Sequence, residues 1–338
     1  MKKIKVSTII VTYNSAKWIL NCVNSLLNQN NDFVHQIIIV DNGSTDTTLN
    51  IIENNFLVTK NNIILIKSNN NGFGAGNNLG LKYATGDYLF FVNPDTFSAE
   101  NCIKTLITPL ISQDLVTTPK ITILNNETEI NTCGNLIHFT GLGFVNHFKE
   151  SSSNYTEIFE VPAISGAAFA IRKDTFKKLG KFDEDFFLYM EDTELSWRIN
   201  KAKLKVLCCA NTSVAHEYEF KLTSQKIAFL EKGRILILRK HYTLWQQILL
   251  FPSFVIAFGF SLIMSLKFGP RGLISWLKAL WSGYRYRLTQ KNKNFQNNIK
   301  QNIPFNLFSK NIFTTFTGKI INAFLNANQF IMKVISNG

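Results

Sequence analysis

The chain has 338 residues, 46% of them hydrophobic and 13% aromatic, with a net charge of +13 at pH 7; this is long enough to bury a sizeable core and exceeds one average domain. Its five cysteines are an odd set without C-x-x-C spacing, which excludes a disulfide framework and a zinc module and points to a reducing compartment. Charge is uneven: residues 1–218 hold 19 Lys/Arg against 21 Asp/Glu, residues 219–338 hold 17 against 2, and no acid follows Glu231. Such asymmetry indicates nucleic acid or an anionic membrane, and the Phe, Leu, Ile and Trp of the basic part favour the membrane.

Lys2, Lys3 and Lys5 precede an apolar run, as in a signal peptide. That run is short and β-branched, however, and leads into Thr12-Tyr13-Asn14 where a small-residue cleavage site would be needed. It is expected to be the first strand of a cytosolic domain. Residues 16–28 then place Trp18, Ile19, Cys22, Val23, Leu26 and Leu27 at helical spacing. Residues 35–40 read as a second buried strand, ending in the polar loop 41–46, which offers several caps for a helix through Ile51. Residues 62–67 are a third strand, followed by a Gly- and Asn-rich loop over 69–80. The fourth is the apolar run Tyr88-Leu-Phe-Phe-Val92, which stops at Pro94 and delivers Asp95.

This alternation predicts a largely parallel sheet covered on both faces. Its four strand ends, 12–15, 41–46, 69–77 and 93–96, would lie on one edge, where ligands of open α/β sheets bind. Each alone is also ordinary turn chemistry. The glycines at 72, 74, 76 and 80 follow the third strand and match neither the dinucleotide nor the P-loop pattern, so neither a hydride-transfer enzyme nor a P-loop NTPase is expected.

Residues 97–160 carry no assignable chemistry; 115–124 contain a strand and 130–148 a β excursion with turns at Gly134, Gly141 and Gly143. Residues 161–171 read as a strand whose small residues, 165–168, allow close approach of a ligand or another backbone. Arg172 to Gly180 is a short helix stopped by its glycine. Glu191 and Asp192 open the next helix, where acids also serve as dipole-complementing caps. A strand over 204–209 precedes His216.

Taken together, 6–15, 41–46, 71–80, 92–95, 165–168 and 191–198 resemble the inverting glycosyltransferases of family 2, over roughly residues 4–240. The loop Gly72-Phe73-Gly74…Asn77-Asn78…Gly80 with Asn93-Pro94-Asp95 is most similar to the rhamnosyltransferase type. The resemblance implies an α/β GT-A nucleotide-sugar domain with a mostly parallel sheet over 1–240. It implies that Thr12, Tyr13 and Asn14 hold base and ribose, and that Asp41 accepts from the N3–H of uracil or thymine. Gly72, Phe73, Asn77 and Asn93 would line the ribose, diphosphate or sugar. Asp95 and His216 would hold Mg²⁺ or Mn²⁺ on the diphosphate, which suits oxygen-rich sites. Asp192 would be the general base and Glu191 would orient it or contact the acceptor. Arg198 would reach phosphate or be ion-paired.

Residues 241–338 are expected to form a basic, apolar helical region that associates with the membrane. Residues 242–266 are uncharged and long enough to span, but Pro252 and Gly259 interrupt them and both flanks are basic. A bent segment that enters and leaves one leaflet fits better. Residues 272–288 form an amphipathic helix with Arg271, Lys278, Arg285 and Arg287 for lipid phosphates. Residues 312–334 repeat apolar positions at helical spacing, with a helical partner or dimer surface as the alternative, and 290–301 read as a linker.

The expected function is transfer of a sugar, rhamnose by motif, from a dTDP- or UDP-sugar to a lipid-linked or polysaccharide acceptor. It would take place at the cytoplasmic face of the cell membrane, without nucleic acid. A nucleotide-sugar-binding scaffold at the membrane without turnover is the alternative.

Overall fold

The computed structural model describes residues 3–29, 33–57, 62–218, 222–289 and 312–337. They fall into two compact units, Met1–Leu136 with Phe144–Phe220, and Ile137–Gly143 with Lys221–Gly338.

In the first unit Lys5–Thr12 (β1), Val34–Asp41 (β2), Ile63–Lys67 (β3) and Tyr88–Val92 (β4) alternate with helices Ile19–Leu27 (α1), Thr48–Ile52 (α2) and Phe73–Leu81 (α3). Then come Thr96–Ser98 (β5), Cys102–Ser112 (α4), Val116–Ile123 (β6) and Asn126–Thr132 (β7). Asn135–Ile137 (β8) and Gly143–Val145 (β9) lie outside the main sheet. Ile158–Val161 (β10), Ala168–Arg172 (β11), Lys173–Lys178 (α5), Glu191–Lys201 (α6) and Val206–His216 (β12) complete the unit.

The sheet order is β10-β12-β6-β11-β4-β1-β2-β3, with β5 paired to β12 and β7 to β6. Strands β1 to β4 are mutually parallel, β11 runs antiparallel between β4 and β6, and β6 is parallel to β12. The carboxyl ends of β1, β2, β4, β6 and β12 and the amino end of β11 therefore share one edge. Alternate side chains serve opposite faces, as the pleat requires. Ile10, Ile37, Ile39, Phe90 and Val92 pack with Cys22 and Leu26 of α1 and Leu106 of α4. Ile9, Val11, Ile38, Val40 and Phe91 pack with Leu195 and Ile199 of α6. This is the mixed α/β fold expected of a GT-A domain.

Two segments differ from the sequence reading. The glycine-rich stretch is a helix from Phe73 onward. Each helical Gly is worth roughly 1 kcal/mol less than Ala, and close packing overrides that preference. A Cβ on Gly76 would lie 2.7 Å from Val11 Cγ1, and one on Gly80 2.7 Å from Ile9 Cγ2. The stretch 161–171 is not one strand: Val161 ends β10, and residues 165–168 form a tight turn, with Ala168 N donating to the Ser165 carbonyl at 3.3 Å.

In the second unit Ser224–His241 (α7), Leu244–Leu266 (α8), Gly269–Arg285 (α9) and Ile312–Asn337 (α10) are helical. Arg234, buried on α7, is ion-paired with Glu231, donates to the Thr140 carbonyl at 3.3 Å and lies 4.1 Å from the Phe258 ring centroid. Thr243 and Gln246 form a capping box for α8. The expected break at Pro252 does not occur, and α8 is one helix of 23 residues. Ser253 bonds to Asn328 Oδ1, and Asn328 Nδ2 donates to the Leu249 carbonyl at 2.9 Å, beside the carbonyl that the proline leaves without its helical donor. Among the described residues, α8 is the one helix long and apolar enough to cross a membrane. Trp245, Phe251 and Val255 of α8, Leu277 and Trp281 of α9, and Phe324 and Phe330 of α10 are exposed. The expected linker at 290–301 lies outside the described residues.

Candidate active site

The shared edge gathers most of the polar residues singled out from the sequence. Thr12 ends β1 directly beside Asp41 at the end of β2. Asp41 is fully buried; its Oδ2 accepts from the main-chain N–H groups of Gly43 at 3.2 Å and Ser44 at 3.0 Å, while its Oδ1 has no partner among the described residues. One oxygen thus fixes the loop, and the other is left for something outside it. Asn14, in the left-handed region with φ 51, accepts from Thr45 N at 2.8 Å and braces the same loop. Tyr13 is half exposed.

Gly72 (φ +96) has no room for a side chain, since a Cβ would lie 2.3 Å from the Phe187 carbonyl oxygen. That carbonyl accepts from Phe73 N at 2.9 Å, and Asn77 Nδ2 donates to its own helix at the Phe73 carbonyl, 3.0 Å. Gly72, Phe73 and Asn77 are therefore engaged with the protein itself, seating the segment that leads to Glu191.

At the end of β4, Asn93 N donates to the Ala167 carbonyl at 2.9 Å, which ties β4 to the 165–168 turn. Asn93 Oδ1 and Asp95 Oδ1 are buried and accept no hydrogen bond among the described residues. Asp95 Oδ1 faces His216 Nε2 at 3.4 Å. Buried acceptors without donors carry a desolvation penalty and call for an explanation. The carboxylate oxygen and imidazole nitrogen lie together, with the buried amide oxygen of Asn93 two residues away in sequence, and these donor types suit a hard divalent cation whose remaining positions go to water and phosphate. No group of three His, Cys, Asp or Glu side chains occurs there or elsewhere among the described residues.

Asp192 sits in the first turn of α6. Its Oδ2 accepts from Gly166 N at 2.9 Å and faces Asn135 Nδ2 at 3.4 Å, while Oδ1 accepts from Thr193 N at 2.7 Å. Burial raises its carboxyl above the usual range, and the Gly166 and Thr193 N–H groups partly offset this. Glu191 beside it is buried, with Oε2 unpartnered among the described residues, and is pushed up to about 8 by burial and then by the Asp192 charge. Tyr189 (φ 64) and Met190 (φ 72) precede them in the left-handed region, a strained approach of the kind found at functional sites. Arg198 is not available to phosphate. Its Nε and Nη2 grip Glu194 at 2.6–3.0 Å, and its Nη1 donates to the Leu179 carbonyl at 2.5 Å.

Two open depressions of about 410 and 470 Å³, beside Glu160 and Asn200 and beside Glu100 and Lys120, lie apart from these groups and contain none of the carboxylates just described.

The sequence profile described as Glycosyl transferase family 2 matches residues 7–180. The chain belongs to glycosyl transferase family 2. This family 2 chain is 32% identical to Glycosyltransferase GlyG of Streptococcus pneumoniae over 110 residues, 32% of this chain and 36% of that one. It is 35% identical to the poly(ribitol-phosphate) beta-N-acetylglucosaminyltransferase TarS of Staphylococcus aureus over 103 residues, 30% of this chain and 18% of TarS. The matches thus span well under half the length of these curated relatives. Among solved structures, GalNAc-T7 with UDP, GalNAc and Mn2+ superposes with a TM-score of 0.62 at 17% identity, covering 84% of this chain and 55% of the other. TarS 1-349 in complex with UDP gives 0.52 at 22%, covering 83% and 80%. These likenesses establish the fold.

The family 2 motifs did not mark Asn135 or Asn131. Both lie in the excursion after β6, and they reach Asp192 and His216 respectively; His216 Nδ1 is 3.2 Å from Asn131 Oδ1. Neither amide belongs to a local pattern, so their role is visible only once the chain is folded. The run of small residues at 165–168, by contrast, signalled close approach of a ligand or another backbone, and what approaches Gly166 in the structure is the Asp192 side chain.

Proposed function

We propose that this family 2 chain transfers a glycosyl group from a nucleoside-diphosphate sugar, with inversion, in the synthesis of a cell-surface glycan. The observation that carries the reading is the pairing on one edge of open buried acceptors at Asp41, Asn93 and Asp95 with an anchored carboxylate at Asp192. Asp41 Oδ1 would accept the N3–H of the pyrimidine base, with Thr12 and Tyr13 alongside the base and ribose. The UDP and UDP-GlcNAc complexes of TarS support uracil as that base. The glycine-rich motif is the ground for rhamnose, carried by dTDP or UDP.

In the reaction an acceptor hydroxyl attacks C1 of the sugar as the C1–O bond to the diphosphate breaks and the nucleoside diphosphate departs with the electron pair. Asp192, ionised, takes the hydroxyl proton, a contribution of roughly 10²–10⁴-fold. Two main-chain N–H groups fix its orientation, and Glu191 shapes the acceptor side. Asn93, Asp95 and His216 would hold Mg²⁺ or Mn²⁺, which supplies charge stabilisation of the leaving diphosphate.

The acceptor in this reading is lipid-linked, and the second unit holds the protein at the cytoplasmic membrane face. The exposed apolar side chains of α8, α9 and α10, with Lys267, Arg271, Lys278 and Arg285 nearby in sequence, support that placement. Poly(ribitol-phosphate) transferases among the relatives support a glycan destination. A panel of nucleotide sugars, scored by protection against thermal unfolding and then by release of nucleoside diphosphate, tests the reading. Asp192→Asn should abolish release while binding by calorimetry stays within about twofold, and turnover surviving in that variant would remove the base assignment.

A further inference from the structure

We infer that Asn131 is a positioning residue which sets the ring tautomer of His216 and so presents its Nε2 lone pair to the cation site. The inference rests on the cation reading above and deepens it.

The backbone is arranged for this contact. In the β6–β7 ladder Ile121 pairs with Thr132 and Thr122 pairs with Ile130, so Asn131 is the extra residue of a β-bulge. Bulges interrupt alternation and re-aim a side chain. Ile130, Asn131, Thr132 and Cys133 are consequently all buried, where a regular strand would turn every second one outward. On the other side of β6, His216 ends β12 opposite Ile123.

The chemistry follows from what an amide oxygen is able to do. With the Asn131 amide turned so that Oδ1 lies 3.2 Å from His216 Nδ1 and its Nδ2 is left buried without a partner among the described residues, the oxygen accepts and Nδ1 carries the hydrogen. In the neutral ring Nε2 is then a lone pair. It points at Asp95 Oδ1, 3.4 Å away, which is itself buried and accepts no hydrogen bond among the described residues. Nε2 and the Asp95 carboxylate are brought together either by a proton on Nε2 or by a cation within reach of both, and the buried Asn93 Oδ1, two residues before Asp95, is a further acceptor without a donor among the described residues. A neutral amide rather than a carboxylate behind the ring fixes the tautomer without adding charge to the site. This is the arrangement by which outer partners orient metal-binding histidines. The same bend holds Asn135, bonded by Thr132 Oγ1 at 3.2 Å and directed at Asp192, so it provides an internal control.

The test uses the full chain with two readouts: Mn²⁺ binding by electron paramagnetic resonance in the presence of UDP, and the side-chain ¹⁵N shifts of the neutral His216 ring, assigned by their loss in His216→Gln. Wild type is expected to show the Nδ1–H tautomer. Asn131→Ala should weaken Mn²⁺ binding about 10- to 100-fold and move the ring toward Nε2–H. Asn131→Asp should keep Nδ1–H and hold Mn²⁺ at least as tightly, and Asn135→Ala should leave Mn²⁺ affinity within about twofold. An Nε2–H ring in wild type, or an Asn131→Ala protein with unchanged tautomer and affinity, overturns the inference while leaving the cation reading intact. Absence of Mn²⁺ binding by wild type overturns both. Should Asn131→Ala fail to fold, the wild-type tautomer and the Asn131→Asp protein decide.

Discussion

The main-chain N–H of Gly166 donates to Asp192 Oδ2 at 2.9 Å, and a Cβ on Gly166 would lie 3.1 Å from the Asp192 Cβ. Turn and carboxylate are therefore matched in position, and even a methyl group would shift one against the other. Gly166→Ala is expected to lower kcat by about 10- to 100-fold with little change in donor KM, because misplacing a catalytic group costs rate rather than binding. Steady-state kinetics with nucleoside diphosphate release as signal checks this; an unchanged kcat would mean that the carboxylate is positioned by something else.

Glu191 makes the fold pH-dependent in a defined direction. Its carboxyl, at 4.5 in the unfolded chain, is pushed up to about 8 in the fold. The folded protein therefore holds the proton that the unfolded chain releases. The stability contributed by the neutral carboxyl is complete below about 4.5 and is lost as pH rises through about 8. Glu191→Gln mimics the neutral form. It should match wild type near pH 5 and exceed it by roughly 2–4 kcal/mol near pH 8.5. Urea unfolding at the two pH values measures the difference, and a constant offset between them would contradict the expected titration.

The exposed aromatic residues of the second unit make a prediction about lipid. Trp245 and Trp281 are 65% and 66% exposed, and Phe251 is exposed as well. Replacing all three by Glu in the full chain is expected to lower sedimentation with anionic vesicles by about tenfold or more, because it removes apolar burial and opposes the basic charge at once. Donor binding by calorimetry should be unchanged. Undiminished sedimentation would assign these side chains to another surface.

How much of this was legible depended on the kind of interaction. The strands were, since Ile37 to Val40 and Leu89 to Val92 are buried without a break and so read as apolar runs. The places of Asp41, Asp95 and Asp192 in the fold were, since Asp41 ends β2, Asp95 lies three residues past β4 and Asp192 opens α6. Arg198 was open from sequence, although Glu194 four residues before it has the spacing of a helical ion pair; the fold settles the matter by burying both. The helix at Phe73 was concealed because its glycines answer to Val11 and Ile9, residues more than sixty positions earlier. The continuity of α8 through Pro252 was concealed for a similar reason, since Asn328 of α10 supplies the compensating contact. Long-range partners left no local trace in either case.

If Asp41 Oδ1 accepts the base N3–H as proposed, its divided carboxylate has a consequence for base selection. One oxygen is held by Gly43 and Ser44, so an amide at this position would keep its oxygen on those N–H groups and turn its –NH₂ outward. Asp41→Asn would thereby reverse the hydrogen-bond polarity offered to the ring while preserving the loop. A uracil N3–H would meet a donor, whereas the bare N3 of cytosine would meet its complement. Titration calorimetry with UDP and CDP should show the preference shifting toward CDP by about 10- to 100-fold, as expected when a buried polar pair is mismatched in one ligand and matched in the other.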